Sequence, residues 1–228
     1  MTEPLSYDLH DSIATIVMDD GRVNALSLPM LQSIDAAFER ARSEGAAAVV
    51  LAGREGRFSG GFDLATLRGG GPDALAMLRG GFELAEKLLS FPRPVVIACT
   101  GHAIAMGVFL LLSGDYRIGA AGDFKIHANE VAIGLPMPRA AVEICRQRLA
   151  PAHFNRAVIL AEPYTPEDAV AAGFLDRVVP PADVRAAAQS QAGELAKLNM
   201  DAHAISKLRA RDSALKALHA AIEEDFGA

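Results

Sequence analysis

A chain of 228 residues can form one domain with a full core that needs neither disulfides nor metals. The apolar fraction is 51%, yet no apolar run is long enough to span a bilayer, and a net charge of −6 with scattered lysines and arginines argues against nucleic-acid binding as the main role. Residues 1–12 lack the basic start and apolar centre of a secretion signal, the six histidines show no metal-ligand spacing, and Cys99 and Cys145 sit in apolar contexts, so two buried thiols in a reducing cytoplasm are expected.

Residues 5–18 read as two short strands broken near His10-Asp11-Ser12, followed by a turn at Asp19-Asp20-Gly21. Ser27 is placed to cap a helix whose first turn holds Pro29 and whose apolar face is Leu31, Ile34, Ala37, Phe38 and Ala41. Ala46–Ala52 reads as a buried strand, ending in Gly53 and then in Phe58-Ser59-Gly60-Gly61-Phe62-Asp63-Leu64. After the break at Gly69-Gly70-Gly71-Pro72-Asp73, a helix is predicted over Leu75–Leu89 and a central strand over Pro94–Cys99. A turn is predicted at Thr100-Gly101-His102, then a small-residue patch at Ala103–Gly107, a helix buried all round at Val108–Ser113 and a strand over Asp115–Ala120. Lys125 and His127 are expected to face solvent on the loop that leads to Glu130. Beyond Pro136 the pattern is helical: Pro138–Leu149, Pro151–Ala161, a helix capped by Thr165, a short strand over Phe174–Val179, then Ala182–Leu198 and His203–Phe226. Alternating strands and helices followed by helices predict an α/β fold, with residues 1–180 as its core and 181–228 as a C-terminal helical region.

Two segments carry chemistry. Each buried strand, 46–52 and 94–99, runs into a small-residue turn and then a helix, an arrangement that exposes backbone N–H groups to a ligand. If the strands are neighbours, both turns lie at one edge of the sheet, where ligands of open α/β folds bind. Downstream, Glu130 precedes Val131-Ala132-Ile133, an acid in apolar surroundings. N–H donors plus an acid in a dry pocket suit proton transfer beside a carbonyl. An ion pair of Glu130 with Arg117 or Lys125 is the structural alternative, and His102 reads as a hydrogen-bonding spacer.

These residues resemble the crotonase superfamily, the enoyl-CoA hydratase/isomerase family, from Tyr7 to about Leu208. Asn24-Ala25-Leu26-Ser27 is similar to the family's Asn-Ala-Leu segment, and Phe58–Leu64 to its Phe-Ser-Ala-Gly-Ala-Asp-Leu. Gly101–Gly107 is similar to the glycine-rich turn, Gly114–Ile118 to the strand that follows, and Asn129–Leu135 to the Pro-Glu or Asn-Glu segment. The resemblance implies repeated ββα units, a C-terminal helical trimerisation region, a homotrimer or a hexamer of two trimers, and an acyl-CoA thioester as substrate. CoA then enters as part of the substrate, with no separate cofactor. By the same resemblance, Phe62 and Met106 supply the two oxyanion-hole N–H groups and Glu130 the catalytic carboxyl. Asn24, Ala25, Leu26, Gly60, Asp63 and Leu64 lie around the CoA, mostly through backbone.

One departure selects among activities. The family's hydratases use two glutamates, and the first of those positions is Phe109 here. A single glutamate can move a proton from C2 to C4 of a 3-enoyl thioester, and Asn129-Glu130 is similar to the pairing in the family's mitochondrial enoyl-CoA isomerases. A Δ3,Δ2-enoyl-CoA isomerase is therefore the first expectation. A hydratase with its second group at His102, Asp63 or His127 is the alternative, and a catalytically weak acyl-CoA-binding protein is a third. The Met106 side chain must either point away from the thioester or narrow the acyl pocket. Lys207, Arg209 and Arg211 are candidates for CoA phosphates or a solvated helix face, and Arg139 has no assigned role.

Overall fold

A computed structural model describes residues 4–227. The chain begins with a hairpin, β1 (Leu5–His10) and β2 (Ile13–Met18), then β3 (Ala25–Leu26) and α1 (Leu28–Ser43). Next come β4 (Ala48–Ala52), β5 (Gly56–Ser59), β6 (Gly61–Phe62), α2 (Leu64–Gly69) and α3 (Gly71–Ser90). The central unit is β7 (Val95–Cys99), β8 (Gly101–Ile104) and α4 (Met106–Leu112), and a third follows with β9 (Tyr116–Ala120), β10 (Ile126–His127) and α5 (Arg139–Arg146). The chain continues through α6 (Pro151–Val158), α7 (Pro166–Ala172), β11 (Arg177–Val179), α8 (Val184–Leu195) and α9 (Met200–Phe226). None of the helices among the described residues is long and apolar enough to cross a membrane.

Among the described residues the strands form three sheets. The six-stranded sheet has the order β1-β2-β4-β7-β9-β11, antiparallel between β1 and β2 and parallel elsewhere. A parallel three-stranded sheet, β10-β8-β5, stands beside it, and β3 pairs with β6. Each ββα unit gives its first strand to the large sheet and its second to the small one. Both faces of the large sheet are covered, which is why β4 and β7 are apolar throughout and β2 alternates only in part. Leu51, Ile97, Phe38, Leu88 and Leu110 belong to the main core, and α8 closes the other face with Val184, Ala188 and Ala192 against Val50, Val96 and Ile118. Ser27 caps α1 and Thr165 caps α7 through their hydroxyls, as the sequence suggests.

Three expectations need correction. The turn predicted at Thr100–His102 is instead the approach to β8, the middle strand of the small sheet, which begins at Gly101; Gly101 and His102 are weak strand formers held extended by pairing with Gly56 and Arg57 of β5. His127 does not face solvent: it is half-buried, and its Nε2 lies 2.8 Å from the Ala161 carbonyl oxygen. The strand predicted over Phe174–Val179 begins only at Arg177, because Phe174 and Leu175 turn into the core and their N–H groups go to the Ala169 carbonyl.

Lys207 and Arg211 are spent inside the fold. Both meet the Asp115 carboxylate, at 2.7 and 2.9 Å, and Asp115 also accepts the Val95 N–H, tying α9 to the strand ends of the large sheet. Burial pushes the Lys207 amine down to about 8, against the pull of Asp115. Asp115→Ala leaves two largely buried cations unpaired, so a stability loss of about 3–5 kcal/mol is expected in urea unfolding. Both thiols are buried. Burial pushes Cys99 up to about 12, and burial together with the Glu130 carboxylate raises Cys145.

Candidate active site

The first half of the site is a clamp of short polar contacts around the Gly60-Gly61 turn. Asn24 has a left-handed backbone (φ 53°), a conformation that asparagine tolerates. Its Nδ2 donates to the carbonyls of Met18 and Phe58 at 2.9 and 3.1 Å, its N–H goes to Asp20, and its carbonyl accepts the Ser59 hydroxyl. The Gly61 N–H in turn donates to Ser59 Oγ at 3.1 Å. Burial pushes the Asp20 carboxyl up, but N–H groups of Asn24, Ala25 and Arg22 and the nearby Arg54 hold it below the usual range. Asn24 and Leu26 are fully buried, so they form the floor of this region and present no exposed group. Ala25, Gly60, Asp63 and Leu64 line an open cleft of about 530 Å³, with Asp20 and Arg22 at its rim. Asp63 caps α2 by accepting the Thr66 N–H and hydroxyl, each at 2.8 Å, and Leu64 is exposed at the lip. Two other surface clefts, of about 750 and 390 Å³, lie against α1, on residues that belong to neither turn nor to the Glu130 segment.

The second half is the β8–α4 junction. Ala105 is also left-handed (φ 50°), so the chain turns sharply into α4, and Met106 is the first helical residue, whose N–H has no acceptor within the helix. The two halves touch. A Cβ on Gly61 would stand 2.9 Å from Ala105 Cβ, 3.0 Å from the Ile104 carbonyl and 3.4 Å from the Met106 nitrogen. Phe62 and Met106 are thus brought together at adjoining turns. The Met106 side chain is wholly buried, and it reaches α3 beside the Phe62 ring at Gly81.

Glu130 arrives through the small sheet. β10 pairs with β8 so that His127 stands opposite Ile104, and the Ala105 N–H donates to the His127 carbonyl at 3.0 Å. Glu130 follows three residues on and opens a 3₁₀ turn at Val131–Ile133. Its side chain is 8% exposed and its buried Oε2 has no hydrogen-bond partner. Burial raises its carboxyl to about 7, only partly offset by its own N–H. The ion-pair alternative fails on geometry: Arg117 is engaged bidentately by Asp176, and Lys125 is exposed and pairs with no carboxylate among the described residues.

Phe109 is core, its ring stacked on Phe82 at 6.0 Å. His102 is a spacer, its Nδ1 accepting the Lys125 N–H at 2.9 Å. Arg139 pairs with Glu224 and Asp225 on α9. Sequence reasoning missed Asp20 as a site residue, whose signal is an aspartate four residues before an asparagine in a turn; helical periodicity places Phe82 on the apolar face of its helix with Leu78, Ala85 and Leu89, but nothing local pairs it with Phe226.

Residues 8–227 match the profile of the enoyl-CoA hydratase/isomerase family. A probable enoyl-CoA hydratase of Mycobacterium avium is 31% identical over 202 residues, 87% of this chain and 77% of the relative. The structure of an enoyl-CoA isomerase from Mycobacterium tuberculosis superposes with a TM-score of 0.94 at 51% identity, covering 98% of this chain and 97% of that one. An enoyl-CoA hydratase from Mycobacterium ulcerans gives 0.94 at 50% identity, covering 97% of each chain. The human mitochondrial delta3-delta2-enoyl-CoA isomerase, 24% identical with a TM-score of 0.91 over 98% of this chain and 91% of that one, shares the fold. The chain is an enzyme of the enoyl-CoA hydratase/isomerase family, built on the crotonase fold.

Proposed function

We propose that this enzyme moves the double bond of a 3-enoyl-CoA to the 2 position, with Glu130 as its single proton carrier. The observation that carries the reading is a buried, unpartnered carboxyl raised to about 7 where the other glutamate position of hydratases holds Phe109, locked in aromatic packing. The CoA moiety lies along Ala25, Gly60, Asp63 and Leu64. The thioester oxygen takes the N–H groups of Phe62 and Met106. Ionised Glu130 removes a proton from C2, and the electron pair becomes a dienolate whose charge rests on that oxygen. Protonated Glu130 then returns the proton to C4, leaving a 2-enoyl thioester and the carboxylate. Each N–H donor contributes about 3–4 kcal/mol to the dienolate.

The hydratase reading is favoured by the names of several relatives, though one at 51% identity is named an isomerase, and it needs a second group to handle water. His102, Asp63 and His127 are each bound up in contacts that hold loops or helix ends. The deciding experiment is a pair of assays on one sample: conversion of a 3-enoyl-CoA to the 2-enoyl-CoA, and hydration of a 2-enoyl-CoA. Fast isomerisation with little hydration is expected; strong hydration sinks the single-glutamate reading. The base must be ionised to act, so kcat/KM for isomerisation is expected to climb about tenfold per pH unit below 7 and to level off above it. A homotrimer or a dimer of trimers is part of this proposal. Val131, Ile133 and Leu135 are exposed in series beside the site, and burial against another copy accounts for them. Light scattering should read three or six copies of the 24.0 kDa chain.

A further inference from the structure

A column of aromatic rings links the Phe62 turn to the last turn of α9. The Phe62 ring lies so close to α3 that a Cβ on Gly81 would come within 2.5 Å of it. Its edge meets Phe82 with centroids 6.3 Å apart. Phe82 stacks on Phe109 at 6.0 Å and on Phe226 at 5.4 Å. Phe82 and Phe109 are each 1% exposed and Phe226 is 9% exposed, so the interior along the column is occupied by rings. An acyl tail that enters here has to displace one of them.

The rings are not held equally. All three stacked rings belong to the main core, but Phe82 and Phe109 are 1% exposed on α3 and α4, whereas Phe226, 9% exposed, is at its edge on the final turn of a helix. Phe226 sits at the end of α9, which is fastened from outside by Arg79 with Glu223 and by Arg139 with Glu224 and Asp225. Arg139 is 60% exposed, which weakens its ion pairs, although Asp225 is 9% exposed and also accepts the Ala140 N–H at 3.1 Å, so Asp225 is the firmer part of the latch.

We infer that the last turn of α9, with the Phe226 ring as its plug, closes the far end of the acyl pocket and sets the acyl length that the site accepts. The inference rests on the thioester placement proposed above. The substrate class is a short-chain acyl-CoA, and longer chains enter only as the plug swings out.

The test reads binding, not turnover, so it does not depend on which reaction the enzyme performs. Calorimetric titration of the full-length protein with saturated acyl-CoAs, from butanoyl to hexadecanoyl, is expected to show affinity levelling off at short chains. In Phe226→Ala, each methylene that fits the vacated space should tighten binding about fourfold. The dodecanoyl-to-butanoyl affinity ratio should then rise on the order of a hundredfold. Glu223→Gln combined with Asp225→Asn keeps the ring and loosens the latch; it should raise the same ratio to a smaller extent, and it decides the matter if Phe226→Ala does not fold. An unshifted ratio in the folded variants overturns the inference alone, as does a natural enzyme whose affinity climbs through hexadecanoyl. A shift produced by Leu135→Ser and by neither α9 variant also overturns it and places the chain beneath residues 131–135. Failure to bind any acyl-CoA overturns both this inference and the thioester placement.

Discussion

Glu130→Gln is expected to lower isomerisation by about three to four orders of magnitude while changing acyl-CoA affinity only a few-fold. Glutamine keeps the shape of the side chain and removes the proton carrier, so the loss should fall on kcat. A second effect runs the other way. In the unfolded chain the carboxyl titrates near its ordinary 4.5; in the fold, burial raises it to about 7. Below 4.5 both states are protonated and the buried acid costs nothing extra. As pH rises through 7 the native state must hold a desolvated charge or an unshed proton, and the penalty is complete above that point. The span from 4.5 to about 7 corresponds to about 3 kcal/mol. Glu130→Gln should therefore be more stable than the natural enzyme at pH 8 by an amount of that order, with the gain fading towards pH 4. Urea unfolding at several pH values checks it. A variant that is inactive and less stable at pH 8 would mean that Glu130 is a structural carboxylate.

The other large effect is expected at Gly61. Its φ of +89° is unfavourable for any residue with a Cβ, and an added methyl would meet Ala105 Cβ at 2.9 Å and the Ile104 carbonyl at 3.0 Å. The opposing atoms belong to the turn that delivers Met106, so relief of the clash must part the two turns. Gly61→Ala is expected to cost about 2–3 kcal/mol of stability and, through misplacement of the N–H pair, about two to three orders of magnitude in kcat. Affinity for free CoA should fall less than kcat: Gly61 lines the cleft and pairs with Ala25, but the clash is with Ala105 and Ile104, on the side of the turn that faces Met106. Equal losses in CoA affinity and kcat would argue that the donors are not a catalytic pair.

How far the chain could be read in advance follows from which forces are local. The strands β4 and β7 announce themselves because both faces are buried, and α1 and α7 because their caps are side chains adjacent in sequence. Glu130 is legible as an acid next to an apolar run. That it lacks a partner is settled only by tertiary structure, in which Asp176 takes Arg117. β8 is hidden because Gly101 and His102 owe their extended shape to β5, a strand more than forty residues earlier in the chain. Phe82 and Phe226 lie far apart in sequence and look like ordinary helix positions; their stacking depends on α9 packing back on α3. The same return of α9 explains why Lys207 and Arg211, which read as free cations, are consumed by Asp115.

Cys99 and Cys145 are buried, and burial raises both thiols, so alkylating reagents that need a thiolate find no ready target in the folded protein. The enzyme is in effect cysteine-free towards maleimides without any engineering. A single cysteine introduced at Leu64, exposed on the lip of the cleft, would take one fluorophore at a known place. Its emission would report the arrival and departure of ligand, turning the enzyme into an optical sensor for the compounds it handles.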